Sequence, residues 1–461
     1  MITEKEFKLP VEAVEVLTRL HNAGFEAYVI GGAVRSHLLG LPADDIDIVS
    51  NASEEAVCSL FPASKVIGKA FGVVQVQIGK KTFEVARYRT ESGYADGRHP
   101  STVEFPDNIA EDINRRDFTC NALYYDYRKD EIIDLVGGID DIQNRILRCI
   151  GNPIERLIKE DCLRMLRAVR FATKLGFALH KDTFDVIRKN ASHILRISSE
   201  RIAEELNKIL LSENVYWGLH LLVKTNLMQA VLPEVALCVN FGQHNTYHQY
   251  DLFEHTAQTM KGLKRDFYAL TEKEQLIVKL SLLLHDTGKP YSCTVKKINC
   301  TYTGHPDVSA EIAQAALKRL KYSREITEQV TLLVKCHDYI IPETPKACKK
   351  LLNALGEDLF RLWRIIKRQD VKAHSDYGGV KATYVDKLKN LDKLYANVKN
   401  DCFTLSGLAI NGRDLIDSGF EGAAIGKMLN GILQLVLDDE LPNEREALLN
   451  YAVQKREQVV L

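Results

Sequence analysis

Asp45-Ile46-Asp47 is the stretch whose residue types and spacing most directly imply chemistry. In an extended segment side chains alternate, so Asp45 and Asp47 share one face while Ile46 and Ile48 turn into a core. Two carboxylates on one face repel unless a cation lies between them, and hard oxygen ligands of this kind suit Mg²⁺ held together with substrate phosphates. Just upstream, Tyr28-Val29-Ile30 runs into Gly31-Gly32-Ala33-Val34-Arg35. Gly31 and Gly32 let a backbone approach a phosphate closely, the N–H groups opening the next helix favour an anion, and Arg35 adds a guanidinium. Each feature alone is common in purely structural settings. Together, in strand–turn–helix–strand order, they point to a nucleoside triphosphate and transfer of its nucleotide. Glu84, between Phe83 and Val85, is either a third carboxylate near the metal or an exposed strand residue.

Two further stretches bear charges in patterns. Glu111-Asp112-Ile113-Asn114-Arg115-Arg116-Asp117 opens a predicted helix, and Arg115 and Arg116 are candidates for phosphate contacts. Glu160-Asp161-Cys162-Leu163-Arg164-Met165-Leu166-Arg167-Ala168-Val169-Arg170-Phe171 contains no helix breaker. Asp161, Arg164, Arg167 and Arg170 step by three along one side of that predicted helix. Cytosine and adenine each present an amino donor beside a ring-nitrogen acceptor, so a carboxylate and a guanidinium could accept both. Guanine and uracil, with the order reversed, would leave groups unpaired at about 1–3 kcal/mol each. The plainer alternative for Asp161 and Arg164 is a surface ion pair worth about 0.2–0.5 kcal/mol.

The elements that must position these residues follow from periodicity. Val11, Val14, Leu17 and Leu20 predict a helix that stops at Gly24, followed by the strand ending at Gly31. A short helix to Gly40 and the aspartate strand come next. Phe71–Ile78 and Thr82–Tyr88 read as a hairpin turned at Gly79-Lys80, and the polar Arg89–Pro106 stretch, with Arg98, reads as a mobile loop near the site.

Composition bounds the rest. The 461 residues allow two to four domains, and 61 Lys and Arg against 62 Asp and Glu leave no global field for nucleic acid, so RNA must be held by local patches. Basic clusters at 346–350 and 361–372 read as solvated helix faces rather than phosphate contacts. The ten cysteines include no C-x-x-C pair, which argues against a zinc ribbon or a disulfide framework. With no apolar leader or long apolar run, a cytoplasmic protein without a membrane or DNA partner is expected.

Gly31-Gly32-Ala33-Val34-Arg35, Asp45-x-Asp47 and Arg115-Arg116-Asp117-Phe118-Thr119-x-Asn121-Ala122 resemble the head of class II tRNA nucleotidyltransferases, the CCA-adding enzymes, and of bacterial poly(A) polymerases. Glu160-Asp161-Cys162-Leu163-Arg164 is similar to that family's base-selecting motif, and the resemblance implies nucleotide contacts for Arg167 and Arg170 as well. Ser198–Leu206 resembles its next motif, in which a serine caps a helix and Arg201 braces the neck. Two positions depart: Ser36 stands where the family carries aspartate, and Cys162 where it usually carries proline or alanine. His255, His285-Asp286 and Asp370, in this order, resemble the ligand pattern of HD phosphohydrolase domains, and His305 and His337 fit its extended form, which can hold a second ion. Such mixed ligands suit a divalent transition metal.

The resemblance implies an α+β chain: a polymerase-β-like head (1–150), a helical neck (151–215), an HD-type helical body (216–395) and a helical tail (396–461). It implies template-independent addition of CCA to tRNA from CTP and ATP with Mg²⁺. The rivals are a poly(A) polymerase, a partial enzyme adding only CC or only A, a metal phosphohydrolase acting on RNA ends, and a silent RNA-binding protein. Oligomeric state is not legible.

Overall fold

In the computed structural model, which describes residues 7–43, 45–94, 100–243, 250–263, 265–296, 299–375 and 379–460, the aspartate stretch forms the middle of a mixed sheet. Helix α1 (Val11–Asn22) buries Ala13, Val16, Leu17 and Leu20, so the apolar stripe is offset from the predicted one and Val11 is exposed. Strand β1 (Ala27–Ile30) then turns sharply into α2 (Gly32–Leu38). The turn residue Gly31 has φ 72° and ψ −126°, a conformation closed to side chains with a Cβ. Strand β2 (Asp47–Ser50), α3 (Glu54–Leu60), β3 (Ser64–Gly68), β4 (Val73–Ile78) and β5 (Lys81–Arg87) follow.

The Arg89–Pro106 stretch is not simply a loop. Its ends pair as a ribbon of β6 (Thr90–Ser92) and β7 (Thr102–Glu104), while Arg98 lies outside the described residues. The helix expected from Glu111 is also cut short. Helix α4 (Ile109–Asp112) passes through a 3₁₀ turn (Ile113–Arg115) and ends where Arg116 turns extended (ψ 158°). A second 3₁₀ turn (Thr119–Asn121) leads into β8 (Leu123–Asp126) and β9 (Glu131–Asp134). The buried Asp112 accepts from the Arg89 backbone N–H, Tyr124 Oη and both following arginines, and these partners compete successfully with helix continuation.

The strand order is β3-β4-β5-β2-β1-β8-β9. Strands β2 and β5 run parallel, whereas the other pairs are antiparallel. Ile30, Val49, Tyr88, Ala122, Tyr124 and Ile150 form one core cluster of this part of the chain. Helix α5 (Gly138–Gln143) and the short parallel pair β10 (Ile146–Leu147) and β11 (Ala178–Leu179) lead to the helical neck.

The neck departs from the sequence expectation at one informative point. Residues Glu155–Glu160 form a π-helical turn, Asp161 is extended (φ −142°, ψ 105°), and helix α6 (Leu163–Leu175) begins only after it. Asp161 therefore stands before α6, where its carboxylate accepts from the Leu163 N–H at 3.0 Å. Helices α7 (Lys181–Asn190) and α8 (Ser199–Leu210) pack onward, and Ser198 occupies the cap position of α8 without a side-chain cap bond.

Contacts divide the chain into two compact units, Met1–Ala236 and Leu237–Leu461. Among the described residues the regular structure of the second is helical apart from the hairpin Thr294–Lys296/Asn299–Thr301. Helix Glu272–Leu284 opens with a capping box between Thr271 and Glu274. The long helix Pro345–Ala373 is broken at Gly356 (φ 71°), and the C-terminal helices share a core around Leu415, Ile432, Leu437 and Leu448. Much of the charge in the two basic clusters is matched inside this unit: Lys346 and Lys350 pair with Asp438, Arg361 with Glu274, and Arg368 with Asp266. No described helix is long and apolar enough to cross a membrane.

Candidate nucleotide and metal sites

Asp47 is the first residue of β2, and its partner across the parallel ladder is Glu84 of β5. Neighbouring side chains of a parallel pair project to the same face, so Glu84 stands beside Asp47, and both are exposed. Asp45, also exposed, precedes the strand and lines a neighbouring 920 Å³ cleft. Surrounding protein, then Glu84, then Asp45 push the Asp47 carboxyl above its ordinary pKa, and Arg116 opposes them. A cation would relieve that repulsion, so the donors fit a hard divalent ion.

On the other side of Asp47 lies a 390 Å³ cavity lined by the Gly31-Gly32 turn and by Arg35, Arg115, Arg116, Arg164, Arg167 and Arg201, against three aspartates, Asp47, Asp117 and Asp161. The excess of guanidinium groups suits a polyanion. Each arginine is held by an acid or by an aromatic face. Asp112, fully buried, accepts from Arg115 Nε at 2.7 Å and from Arg116 Nη2 at 2.7 Å. Burial raises its pKa, but the two arginines outweigh this and leave it below the ordinary value. Asp117 accepts from Arg167 Nε and Nη2 at 3.0 and 2.5 Å and from Asn121 Nδ2 at 3.1 Å. Its burial is likewise outweighed, chiefly by Arg167, and its pKa falls to about 2.

Arg35 bears on the Ser36 departure. Its Nη1 donates to Asn121 Oδ1, and its guanidinium lies 5.3 Å from the Phe171 ring centre. Asn121 and Phe171 thus orient Arg35 without a carboxylate at position 36. Arg167 also lies over Phe171, at 5.5 Å. Arg170 stacks closest on the ring, at 4.0 Å, but donates to Glu205 and is not among the residues lining the cavity.

The i, i+3 pairing of Asp161 with Arg164 is replaced by a different arrangement, because Asp161 lies outside the helix. Arg164 Nη1 donates to Glu160 Oε2 at 2.6 Å and to the Arg156 carbonyl at 3.3 Å, and its Nη2 donates to the Arg115 carbonyl at 2.8 Å. Asp161 instead faces Arg201, whose Nη2 lies 3.7 Å from its Oδ2. The sequence reading did not assign Asp112, Asp117, Asn121 or Phe171. The acid-to-arginine steps of three and four from Asp112 were the available signal for the first. Asp117 and Asn121 sat within a quoted motif without a role.

In the second unit the six expected ligands come together. His255 Nε2 lies 3.1 Å from Asp370 Oδ1, and His285 Nε2 lies 3.2 Å from Asp286 Oδ2. His305 and His337 Nε2 stand 3.3 and 3.4 Å from Asp286 Oδ1. The Nδ1 atoms of His285, His305 and His337 each lie within 2.8 Å of a backbone carbonyl oxygen, which fixes the tautomer and leaves Nε2 with its lone pair. His285 Nε2 and Asp286 Oδ1 are buried and make no hydrogen bond. Such orphaned lone pairs fit a divalent ion. His374, one turn after Asp370 and 3.3 Å from its Oδ1, joins the cluster unforeseen, as does Lys289, which reaches Asp286 Oδ2 at 2.7 Å. The helical spacing Asp370-x-x-x-His374 was the missed signal.

Comparison with known proteins gives these sites a setting. Residues 27–148 match the family described as the poly A polymerase head domain, 176–238 the probable RNA and SrmB-binding site of polymerase A, and 302–452 a putative tRNA nucleotidyltransferase domain 2. Residues 27–148 are therefore a head domain of the poly(A) polymerase class. The CCA-adding enzyme of Lactobacillus helveticus is 33% identical over 448 residues, covering 96% of this chain and 98% of the relative. That of Lacticaseibacillus paracasei is 33% identical over 455 residues, covering 98% of each. The crystal structure of the Bacillus stearothermophilus CCA-adding enzyme in complex with CTP superposes with a TM-score of 0.71 at 27% identity, covering 98% of each chain. The chain belongs to the CCA-adding enzymes, the class II tRNA nucleotidyltransferases.

Proposed function

We propose that the first unit builds and repairs the 3′-terminal CCA of tRNA from CTP and ATP, with Asp45 and Asp47 holding Mg²⁺ and Glu84 completing the acidic face. The observation that carries this reading is the arginine-lined cavity bounded by Asp47 and by Asp161 with Arg164. A triphosphate lies against Gly31, Gly32, Arg35, Arg115 and Arg116, and the base reaches the neck. The RNA 3′-hydroxyl gives up its proton to solvent as its oxygen bonds to the α-phosphorus, the bond from that phosphorus to the bridging β-phosphate oxygen breaks, and pyrophosphate leaves. Mg²⁺ at Asp45 and Asp47 would supply neutralisation of the charge on the phosphates and leaving group. Asp112 and Asp117 keep the guanidinium groups turned to the substrate before it arrives, which avoids reorganisation during the reaction. The test uses tRNAs ending before CCA, after the first C and after CC, each offered one nucleotide at a time. The expected additions are two C residues, one C and one A. Long runs of A would support a poly(A) polymerase, and failure at one step would support a CC- or A-adding enzyme.

A second activity suits residues 237–461. His255, His285, Asp286 and Asp370, with His305, His337 and His374, would hold one or two divalent transition ions, which would supply an activated water for phosphoester hydrolysis. Convergence of four imidazole Nε2 atoms on two buried carboxylates supports this reading. Metal content of the purified chain and hydrolysis of 2′,3′-cyclic or terminal phosphates on RNA, each compared with His285→Ala, test it.

A further inference from the structure

The hairpin of the second unit carries two thiols that the proposed chemistry leaves unused. Its strands Thr294–Lys296 and Asn299–Thr301 pair antiparallel, with Thr294 opposite Thr301 and Val295 opposite Cys300. One step further along the ladder Cys293 falls opposite Tyr302, which makes Cys300 its diagonal neighbour on the same face. The two Sγ atoms stand 2.8 Å apart, within about 0.8 Å of the separation in a disulfide bond. Cys300 is buried, whereas Cys293 is half-buried and partly open to solvent. Each thiol is also anchored to the wall of the histidine cluster. Cys293 ends the short helix Lys289–Ser292, whose first residue reaches Asp286 Oδ2 at 2.7 Å and Gln243 Oε1 at 3.1 Å. Two residues beyond Cys300, Tyr302 lines a 310 Å³ cavity together with Asp286, Lys289, His305 and His337. Tyr302 Oη donates to the Gln243 carbonyl at 2.7 Å, and the Tyr302 carbonyl accepts from the His305 N–H at 3.1 Å.

A bond between these sulfurs ties the helix that carries Lys289 to the strand that leads to Tyr302. We propose that Cys293 and Cys300 form an oxidisable dithiol site that takes a low-molecular-weight disulfide as its substrate and, once oxidised, staples this wall of the cavity. The Cys293 thiolate attacks one sulfur of the small disulfide and expels a thiolate. Cys300 then attacks the Cys293 sulfur of the mixed disulfide, the Cys293–Cys300 bond forms, and a second thiolate leaves. The two protons given up by the cysteines pass to the two released thiolates. The chain is thereby oxidised by two electrons and the small disulfide reduced by two. A stapled wall opens less often, so an ion held by the histidine cluster leaves more slowly. That last effect rests on the proposed metal-holding role of the cluster, whereas the thiol chemistry stands apart from it.

Oxidised glutathione is the probe, at about pH 8.5, because donation to Cys300 holds the Cys293 thiol above its ordinary pKa. Peptide mapping of the treated full chain should give a Cys293–Cys300 crosslinked peptide that dithiothreitol reverses. Cys300→Ser should stop at the glutathione mixed disulfide on Cys293. In Cys293→Ser the buried Cys300 should react at least about tenfold more slowly than Cys293 does in wild type. A mixed disulfide that accumulates on wild-type Cys293 without closing, or equally fast reaction of Cys300 in Cys293→Ser, overturns the site. Amide hydrogen exchange of the peptides around Lys289–Ser292 and Asn299–His305 should slow at least about threefold on oxidation of wild type and not of Cys293→Ser. Unchanged exchange overturns the staple. Release of bound Mn²⁺ to excess EDTA should slow by a similar factor, and equal rates before and after oxidation overturn the link to the cluster. A reduced chain that binds no Mn²⁺ overturns the metal reading instead, while mapping and hydrogen exchange still decide the dithiol site. CTP and ATP addition to tRNA lacking CCA, within about twofold of wild type in both serine variants, shows that they fold.

Discussion

The two acidic centres of this chain are built on opposite plans. Around Asp47 the cations outnumber the carboxylates, and Arg115, Arg116 and Arg167 are restrained by the buried acids Asp112 and Asp117. Around Asp286 the ligand atoms converge on one another, their far ring nitrogens fixed by backbone carbonyls. The first plan suits a guest that carries its own negative charge and leaves after each turnover. The second suits a resident ion, because buried imidazoles facing buried carboxylates need a shared partner. Preorganisation therefore means different things in the two units: acids behind the working arginines in one, main chain behind the working histidines in the other.

Removing the acid behind the arginines attacks that distinction hardest. Asp112→Ala leaves two largely buried guanidinium groups and Tyr124 Oη without their acceptor. It should destabilise the chain by about 3–5 kcal/mol in denaturant titration, whereas a loss under 1 kcal/mol would mean Asp112 is not the anchor. A smaller effect is expected at Lys279, an amine 3% exposed in the helix leading to His285. Burial lowers its pKa to about 7 from 10.5. Between those values the unfolded chain binds more protons than the folded one, so this contribution to stability rises with pH across the window. Lys279→Met should thus raise Tm most near pH 6 and progressively less toward pH 10, and a pH-independent change would refute the assigned cause. The smallest effect belongs to Ser36→Asp. Since Asn121 and Phe171 already hold Arg35, restoring the family carboxylate should change kcat/KM for CTP by less than about twofold, and a large gain would show that the cradle is impaired as it stands.

Much of this was legible in the sequence, for identifiable reasons. The aspartate strand opens on an exposed carboxylate and continues as the buried run Ile48–Ser50, and most of the His-Asp residues sit at or near helix ends where periodicity stops. The neck was legible in composition but not in conformation. Glu155–Phe171 contains strong helix formers throughout, and only Asp161's bond to the Leu163 N–H shows where the π turn gives way to α6. That break decides which guanidinium the carboxylate meets. Asp112 was hidden differently: its partners Arg89 and Tyr124 approach from other elements, and no local pattern announces them. His374 was overlooked although it stands one helical turn beyond Asp370.

The central claim is that Asp47 serves nucleotide addition while the histidine cluster serves a separate chemistry. The most direct test is CTP and ATP addition to tRNA lacking CCA, in Mg²⁺, by wild type, Asp47→Ala and His285→Ala. Addition should fall at least about a thousandfold in Asp47→Ala and stay within about twofold of wild type in His285→Ala. Addition that survives in Asp47→Ala, or that disappears with His285, would contradict the account.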